Sequence, residues 1–467
     1  MPRMGRLPHR RHTRMTGLNA SPRSSRMRDV LLLFSVVLFS LSVRGGRVTS
    51  VIAVIACLSL AGAVFARGDV EVGDDGWSER AWEARLMFCV VVLGLLGVAG
   101  WSPASIGPTS SDLERLPGVV WIIISVVVFV GGRTASRLFH WSIVVITLAV
   151  TLIVGLNHLS AVEHLGLDVY FLHVAAADAI ADGLNPYTDA VEVPDGAPTA
   201  VESDVITGYV YPPVTAISYA IGHWVFSDPR FTSLIAWMAF LALIGITGIR
   251  GRTRRGLLVM VLMASIPGWP LVLRAAWTEP LGLALLGAAF SLWNAATKSG
   301  LLVGLALASK QYFAVTAPLL LLHRDKGSLV RSVLTGIVIV ATIGVAIIWG
   351  PSAFWTAAVE FHTSTPARPD SVNLVGLGAL FNLSWDPPTI LPLTVGLLVA
   401  VVTGLRSHTR RRFMLALGLT LSSSFLVSSQ AFANYWFLVA GVCGLALGDV
   451  PIASSEESDA SVTAQGA

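Results

Sequence analysis

Residues able to do chemistry are few in this chain, and they are unevenly placed. Residues 157–208 carry nine carboxylates (Glu163, Asp168, Asp178, Asp182, Asp189, Glu192, Asp195, Glu202 and Asp204) and no lysine or arginine. A carboxylate can accept a proton as a general base, cap a helix or, in company, hold a hard cation. Lys310 stands alone in an apolar stretch, with Lys298 and Arg324 as the nearest basic residues on either side. A lysine in hydrocarbon costs roughly 2.5–3.5 kcal/mol on insertion scales, so it faces a cavity or partner, or snorkels to an interface. Arg274 and Glu279 bracket a turn between two apolar segments. Arginine there suits bidentate contact with an anion, and equally a local pair with Glu279. A polar, proline-kinked stretch from Glu360 to Asp370 adds His362, Arg368 and Asp370. These three could bind a ligand's hydroxyls or charge, or belong to an ordinary solvated loop. The loop carboxylates include Glu202-x-Asp204 but no Asp-x-Asp, and Cys57, Cys89 and Cys443 lie in apolar runs without metal-type spacing. Neither a metal nor another cofactor is expected.

The elements that must position these residues are apolar. Of 467 residues, 54% are hydrophobic and 13% charged, about half the charge of a typical soluble domain. Mean hydropathy is +0.71. That composition excludes an ordinary soluble enzyme, a disordered chain and a disulfide-stapled module, and leaves the bilayer as solvent. The net charge of +4 matters less than its placement: eight arginines precede Asp29, the first acid. Such an arm could bind nucleic acid or open a signal peptide, but the many apolar segments from Val30 onward make it a cytoplasmic membrane anchor, with no nucleic acid partner.

Apolar segments occur at 30–43, 48–66, 87–100, 118–132, 138–156, 231–249, 256–273, 281–296, 300–322, 332–349, 388–405, 413–430 and 434–448. The expected fold class is an all-α integral membrane protein of roughly 11–14 transmembrane helices, about 20 apolar residues being needed per span. The first two segments, split by Arg44-Gly-Gly-Arg47, could be one broken helix. Placing the basic clusters in the cytoplasm puts 157–208, 274–280 and 350–387 outside. It also requires 300–322 to be a hairpin with its apex near Lys310, and 209–226 to lie at the outer surface or re-enter. Within the first outer loop, Asp168 to Asp182 predicts an amphipathic helix, with Val169, Leu172, Ala176 and Ile180 on one face and Asp178 and Asp182 on another. Gly183 offers its stop. The chain thus divides into a basic arm (1–29), N-terminal hydrophobic segments without an assigned role (30–132), a membrane core (133–448) and a disordered acidic tail (449–467).

Asp168-Val-Tyr, then Gly183-Leu-Asn-Pro-Tyr187, then Tyr209-Val-Tyr211-Pro-Pro, resembles the signature of glycosyltransferase family 87. Gly300 to Lys310, followed by Pro318 and a leucine run, is similar to a stretch common in enzymes of the GT-C superfold. The resemblance covers about residues 138–448. It implies a GT-C-like bundle in a bacterial cytoplasmic membrane, with the active site facing outside. It implies inverting transfer of a hexose, mannose in this family, from a polyprenyl-phosphate donor to a glycolipid or polysaccharide acceptor. It maps the catalytic base onto Asp168, whose alternative role is to cap the helix it begins. It brings Tyr187, Tyr209 and Tyr211 in as substrate-binding candidates beside Lys310, Arg274, Glu279, His362, Arg368 and Asp370, with Lys310 the leading partner for the donor phosphate. Two other classes compete: a transporter or flippase of lipid-linked saccharides, and a non-catalytic partner in an envelope complex. An ATP-driven pump is excluded by the lack of a Gly-x-x-x-x-Gly-Lys motif.

Overall fold

The computed structural model describes residues 22–43, 49–65, 79–99, 116–131, 136–160, 167–188, 190–192, 205–251 and 253–449. The start of the basic arm, the acidic tail from residue 450, and Glu163, Asp189, Asp195, Glu202 and Asp204 lie outside them. Five helices come first: α1 (Pro22–Ser42), α2 (Thr49–Phe65), α3 (Glu79–Val98), α4 (Leu116–Val130) and α5 (Arg137–Ser160). Then come α6 (Asp168–Ala181), a ribbon of β1 (Ala190–Glu192) and β2 (Val205–Thr207), and α7 (Pro213–Phe226). The core continues with α8 (Arg230–Arg250), α9 (Arg254–Ala264), α10 (Trp269–Arg274), α11 (Glu279–Ser291) and α12 (Ala296–Leu307). A 3-10 turn (Gln311–Thr316) leads to α13 (Ala317–Leu322) and α14 (Ser328–Trp349). The segment after α14 folds into α15 (Pro351–Trp355), a π turn (Thr356–Glu360), α16 (Phe361–Ser364) and α17 (Leu374–Leu380), before α18 (Ile390–Gly404), α19 (Arg410–Leu426) and α20 (Ala433–Gly448).

Among the described residues, four helices are long and apolar enough to cross a membrane: Ala81–Val98, Arg137–Ser160, Arg230–Arg250 and Ser328–Trp349. Shorter apolar helices accompany them. The chain is therefore a helical membrane protein, with one small antiparallel ribbon that the sequence pattern did not announce, Val191 opposite Ile206. α1 and α2 pack against each other as two helices rather than one broken span. Both pack on the later core: Phe39 of α1 stacks on Trp436 of α20 with ring centres 5.5 Å apart, and Ser50 at the start of α2 donates to the Ser371 carbonyl at 3.1 Å.

The polar residues gather at two ends. At one end Arg254 meets Glu83, Arg410 meets Asp449, and Arg411 meets Asp29, while His323 bonds Ser407. At the other end lie the start of α6, the start of α11 and the segment 350–389. The expected hairpin joins the two ends. α12 rises beside α14, Gly300 facing Arg331 and Gly304 facing Val338. Lys310 has extended backbone (φ −149°, ψ 143°), and α13 returns so that Leu320 accepts from Ser332 near the start of α14. α7 runs from the Lys310 break to the start of α8: Thr215 at its start bonds Ser309, and Gly222 near its end abuts Thr232 on α8.

α6 begins and stops where the sequence pattern predicts. Val169, Leu172 and Ala176 are buried, and Asp178 and Asp182 are exposed. Gly183 takes φ +70°, and the N–H groups of Gly183 and Leu184 reach back to Ile180 and Ala179 at 3.2 and 2.8 Å, closing the carbonyl end of the helix.

Candidate functional site

A cavity of about 640 Å³ opens where α6, the 3-10 turn, the segment 361–372 and the start of α20 meet. Its polar wall holds Asp168, Tyr211, Lys310, Tyr312, His362, Arg368, Asp370, Asn434 and Tyr435. Leu271, Ala314, Val315, Pro392 and Leu393 form an apolar side. Below this side α18 closes tightly on the 3-10 turn, since a Cβ on Gly396 would stand 2.8 Å from Val315.

Asp168 is the first residue of α6 and only 8% exposed. Its Oδ1 accepts the N–H of Val169 at 2.8 Å, and a helix N-terminus favours the anionic form of a carboxylate there. The helix carrying it is fixed by His173. That imidazole receives the Tyr209 hydroxyl at Nδ1 (2.8 Å) and meets the Ala276 carbonyl at Nε2 (3.1 Å). A carbonyl can only accept, so Nε2 carries the proton. Burial first, with the Lys310 charge also lowering it, takes the pKa of His173 down to about 3, so the ring is neutral near pH 7.

Lys310 is 5% exposed. Its Nζ lies 2.7 Å from Glu279 Oε1 and 4.8, 5.4 and 5.8 Å from the ring centres of Tyr211, Tyr312 and Tyr435. Glu279 opens α11 and is 1% exposed. The same Oε1 also accepts from Asn434 Nδ2 at 2.8 Å and the Tyr312 hydroxyl at 3.2 Å. Glu279 Oε2 and Asn434 Oδ1 are buried without hydrogen-bond partners. An orphaned polar atom of this kind costs about 1–3 kcal/mol.

The remaining candidates divide. Arg368 donates to both oxygens of Asp370, at 3.0 and 2.6 Å, and its guanidinium lies 4.8 Å from the Phe432 ring centre. His362 faces the open cavity with Nε2 donating to the Val210 carbonyl at 3.1 Å. The protein around it, and secondly the Lys310 charge, hold its pKa below the usual imidazole value. Tyr211 forms part of the wall, but Tyr187 and Tyr209 do not. The hydroxyl of Tyr187 is spent on the Tyr211 carbonyl at 2.9 Å, and that of Tyr209 on His173. Arg274 is buried at the end of α10, off the cavity wall. Among the described residues no group of three His, Cys, Asp or Glu side chains could hold a metal ion. Sequence reasoning allowed Phe432-Ala-Asn-Tyr-Trp436 to line this cavity but favoured an interfacial aromatic belt; the structure places Phe432, Asn434 and Tyr435 in the wall.

The description glycosyltransferase family 87 fits residues 209–447, just over half of the chain. No curated protein and no solved structure matches it.

Proposed function

The chain belongs to glycosyltransferase family 87, and from that premise we propose that it transfers a hexose, mannose by its family resemblance, from a polyprenyl phosphate to a glycolipid or polysaccharide. The reaction takes place at the outer face of the cytoplasmic membrane. One observation carries the reading: a carboxylate and a lysine, Asp168 and Lys310, share a cavity that also has an apolar side. Asp168 takes the proton of an acceptor hydroxyl as its oxygen bonds the anomeric carbon. The bond from that carbon to the phosphate oxygen breaks, and its electron pair leaves with the polyprenyl phosphate. Single displacement inverts the anomeric centre. Lys310 and Arg368 offer positive charge to the departing phosphate, Arg368 after exchanging Asp370 for it. The carboxylate of Asp168 also steadies the oxocarbenium-like charge of the transition state. The apolar side at Val315 and Leu393 takes the first isoprene units.

Membranes carrying the protein, supplied with radiolabelled polyprenyl-phosphate mannose, test this. Label in an extractable glycolipid or polysaccharide supports transfer. Label that crosses the bilayer still attached to polyprenyl phosphate identifies a flippase instead.

A further inference from the structure

Arg368 enters the cavity from a short turn, and that turn is gripped from behind by the first two helices. Arg368-Pro369-Asp370-Ser371 closes on itself, the Ser371 N–H donating to the Arg368 carbonyl at 3.0 Å. Proline at its second position presets the backbone for such a turn. Across it Arg368 donates to both oxygens of Asp370 and lies over the Phe432 ring. Both charged residues line the cavity. The N–H groups of Arg368 and Val372 donate to the carbonyls of Ser429 and Ala431, at 3.2 and 2.7 Å, which ties the turn to the chain entering α20.

The peptide unit just beyond Asp370 is held at its opposite side as well. Ser50, near the start of α2, donates its hydroxyl to the Ser371 carbonyl at 3.1 Å, and both residues are fully buried. A buried carbonyl needs such a partner. The next carbonyl, of Val372, accepts from Trp436 Nε1 at 2.7 Å, and Phe39 of α1 lies flat on that indole, 6° from parallel. The fit is close: a Cβ on Gly376 would stand 2.8 Å from Ser50 Oγ and overlap the Ser371 carbonyl. α1 and α2 lie outside residues 209–447, the span that fits the family. We propose that they are a positioning element for the lipid phosphate: through Ser50 and Phe39 they fix the turn that sets where Arg368 stands in the cavity. This rests on the glycosyltransfer reading above, in which Arg368 meets the departing phosphate. A guanidinium that must exchange one bidentate partner for another binds better from a backbone already in place.

The test titrates purified full-length protein in detergent with radiolabelled polyprenyl phosphate, the lipid product, and reads the Kd. Arg368→Ala should weaken binding about tenfold or more, the worth of a hydrogen bond to a charged group. Ser50→Ala should weaken it about three- to tenfold. In the Arg368→Ala background the same change should add nothing, because its effect passes through that side chain. Phe39→Leu, which loosens the stack on Trp436, should follow the same pattern with a smaller effect. A thermal midpoint that falls in Ser50→Ala while Kd stays put would make the contact purely structural and overturn the proposal. So would a loss of affinity of equal size with and without Arg368. Equal binding by wild type and Arg368→Ala overturns it whether or not the N-terminal variants fold. The glycosyltransfer reading fails on a different result: wild type that binds polyprenyl phosphate yet transfers no mannose from polyprenyl-phosphate mannose would end that reading, while the Kd comparison still decides this one.

Discussion

Two carboxylates at opposite ends of the bundle, Glu279 buried and Asp325 partly buried, are each paired with a cation, and they differ in what is left over. Asp325 spends both oxygens. Arg331 lies 3.0 Å from Oδ1, while Trp293 Nε1 and His323 Nε2 lie 2.6 and 3.0 Å from Oδ2. Arg331 is spent as well: Nε bonds Ser299 at 3.1 Å, Nη2 the Trp293 carbonyl at 2.9 Å, and the guanidinium stacks 3.8 Å over the Trp293 ring. Glu279, behind Lys310, Tyr312 and Asn434 of the cavity wall, crowds three donors onto one oxygen and leaves the other bare. The Asp325 network, closed at both carboxylate oxygens, holds the turn between α13 and α14 in place. An open one carries the desolvation cost of its bare oxygen. The contrast separates the end where the turn is fastened from the end that holds the cavity.

An all-or-none test breaks the comparison most directly. Cysteines replacing Asp182, exposed at the cavity end, and Lys326, exposed at the other, should react with an impermeant thiol reagent from opposite sides of the membrane. Labelling of both from one side would place the two ends in one compartment. Next in size is Asp168→Asn. Asparagine keeps the shape and can still accept the Val169 N–H, but it takes up no proton near pH 7. Turnover should fall by roughly 100-fold or more at unchanged membrane level, the usual worth of a positioned base. Asp178→Asn on the exposed face of the same helix should stay within about twofold. Near-wild-type turnover in Asp168→Asn would remove it from the chemistry.

The paired ends can also be set against each other. Lys310→Met leaves the Glu279 carboxylate buried without its cation, at a cost of about 3–5 kcal/mol. The thermal midpoint in detergent should drop clearly. Adding Glu279→Gln should restore most of that stability, because a neutral pair needs no counter-charge. Activity should remain at least tenfold down in the double variant, since no ammonium faces the phosphate. If activity returns with stability, Lys310 is only a fastening, as Arg331 is.

How much of this was legible in the sequence depended on the range of the interaction. α6 declared itself through spacing along one helix and through Gly183, and the break at Lys310 through a lone charge in an apolar run; both signals are local. The partner of Glu279 was not local. The sequence allowed a pair with Arg274, five residues away, whereas the ion pair formed is with Lys310 across the bundle. Three tyrosines in the loop motifs looked equivalent, yet only Tyr211 faces the cavity, because burial obliged Tyr187 and Tyr209 to spend their hydroxyls inside. The run from Phe432 to Trp436 allowed a cavity lining beside an aromatic belt, but nothing in it singled out Asn434, whose partner Glu279 is adjacent only in space. The N-terminal helices likewise read as separate from the core until Phe39 is seen against Trp436.

The smallest expected effect belongs to the closed network. Partial burial raises the pKa of Asp325, but the hydrogen bonds from His323, Arg331 and Trp293 outweigh it and hold the value down to about 2. A carboxylate free in the unfolded chain titrates near 3.9. The folded value is the lower one, so the stabilisation is fully present above about pH 4 and is lost as pH falls from there toward 2. The groups facing this carboxyl are His323, Arg331 and Trp293. Asp325→Asn should therefore lower the thermal midpoint at pH 7 by a few degrees, on the order of 1–2 kcal/mol once solvent screening of the turn is allowed for. Between about pH 4 and 2 the gap between variant and wild type should close. Transfer activity per folded molecule at pH 7 should match wild type, because nothing in this cluster reaches the cavity. A variant that keeps its midpoint but loses transfer would mean that this end, too, acts on the substrate.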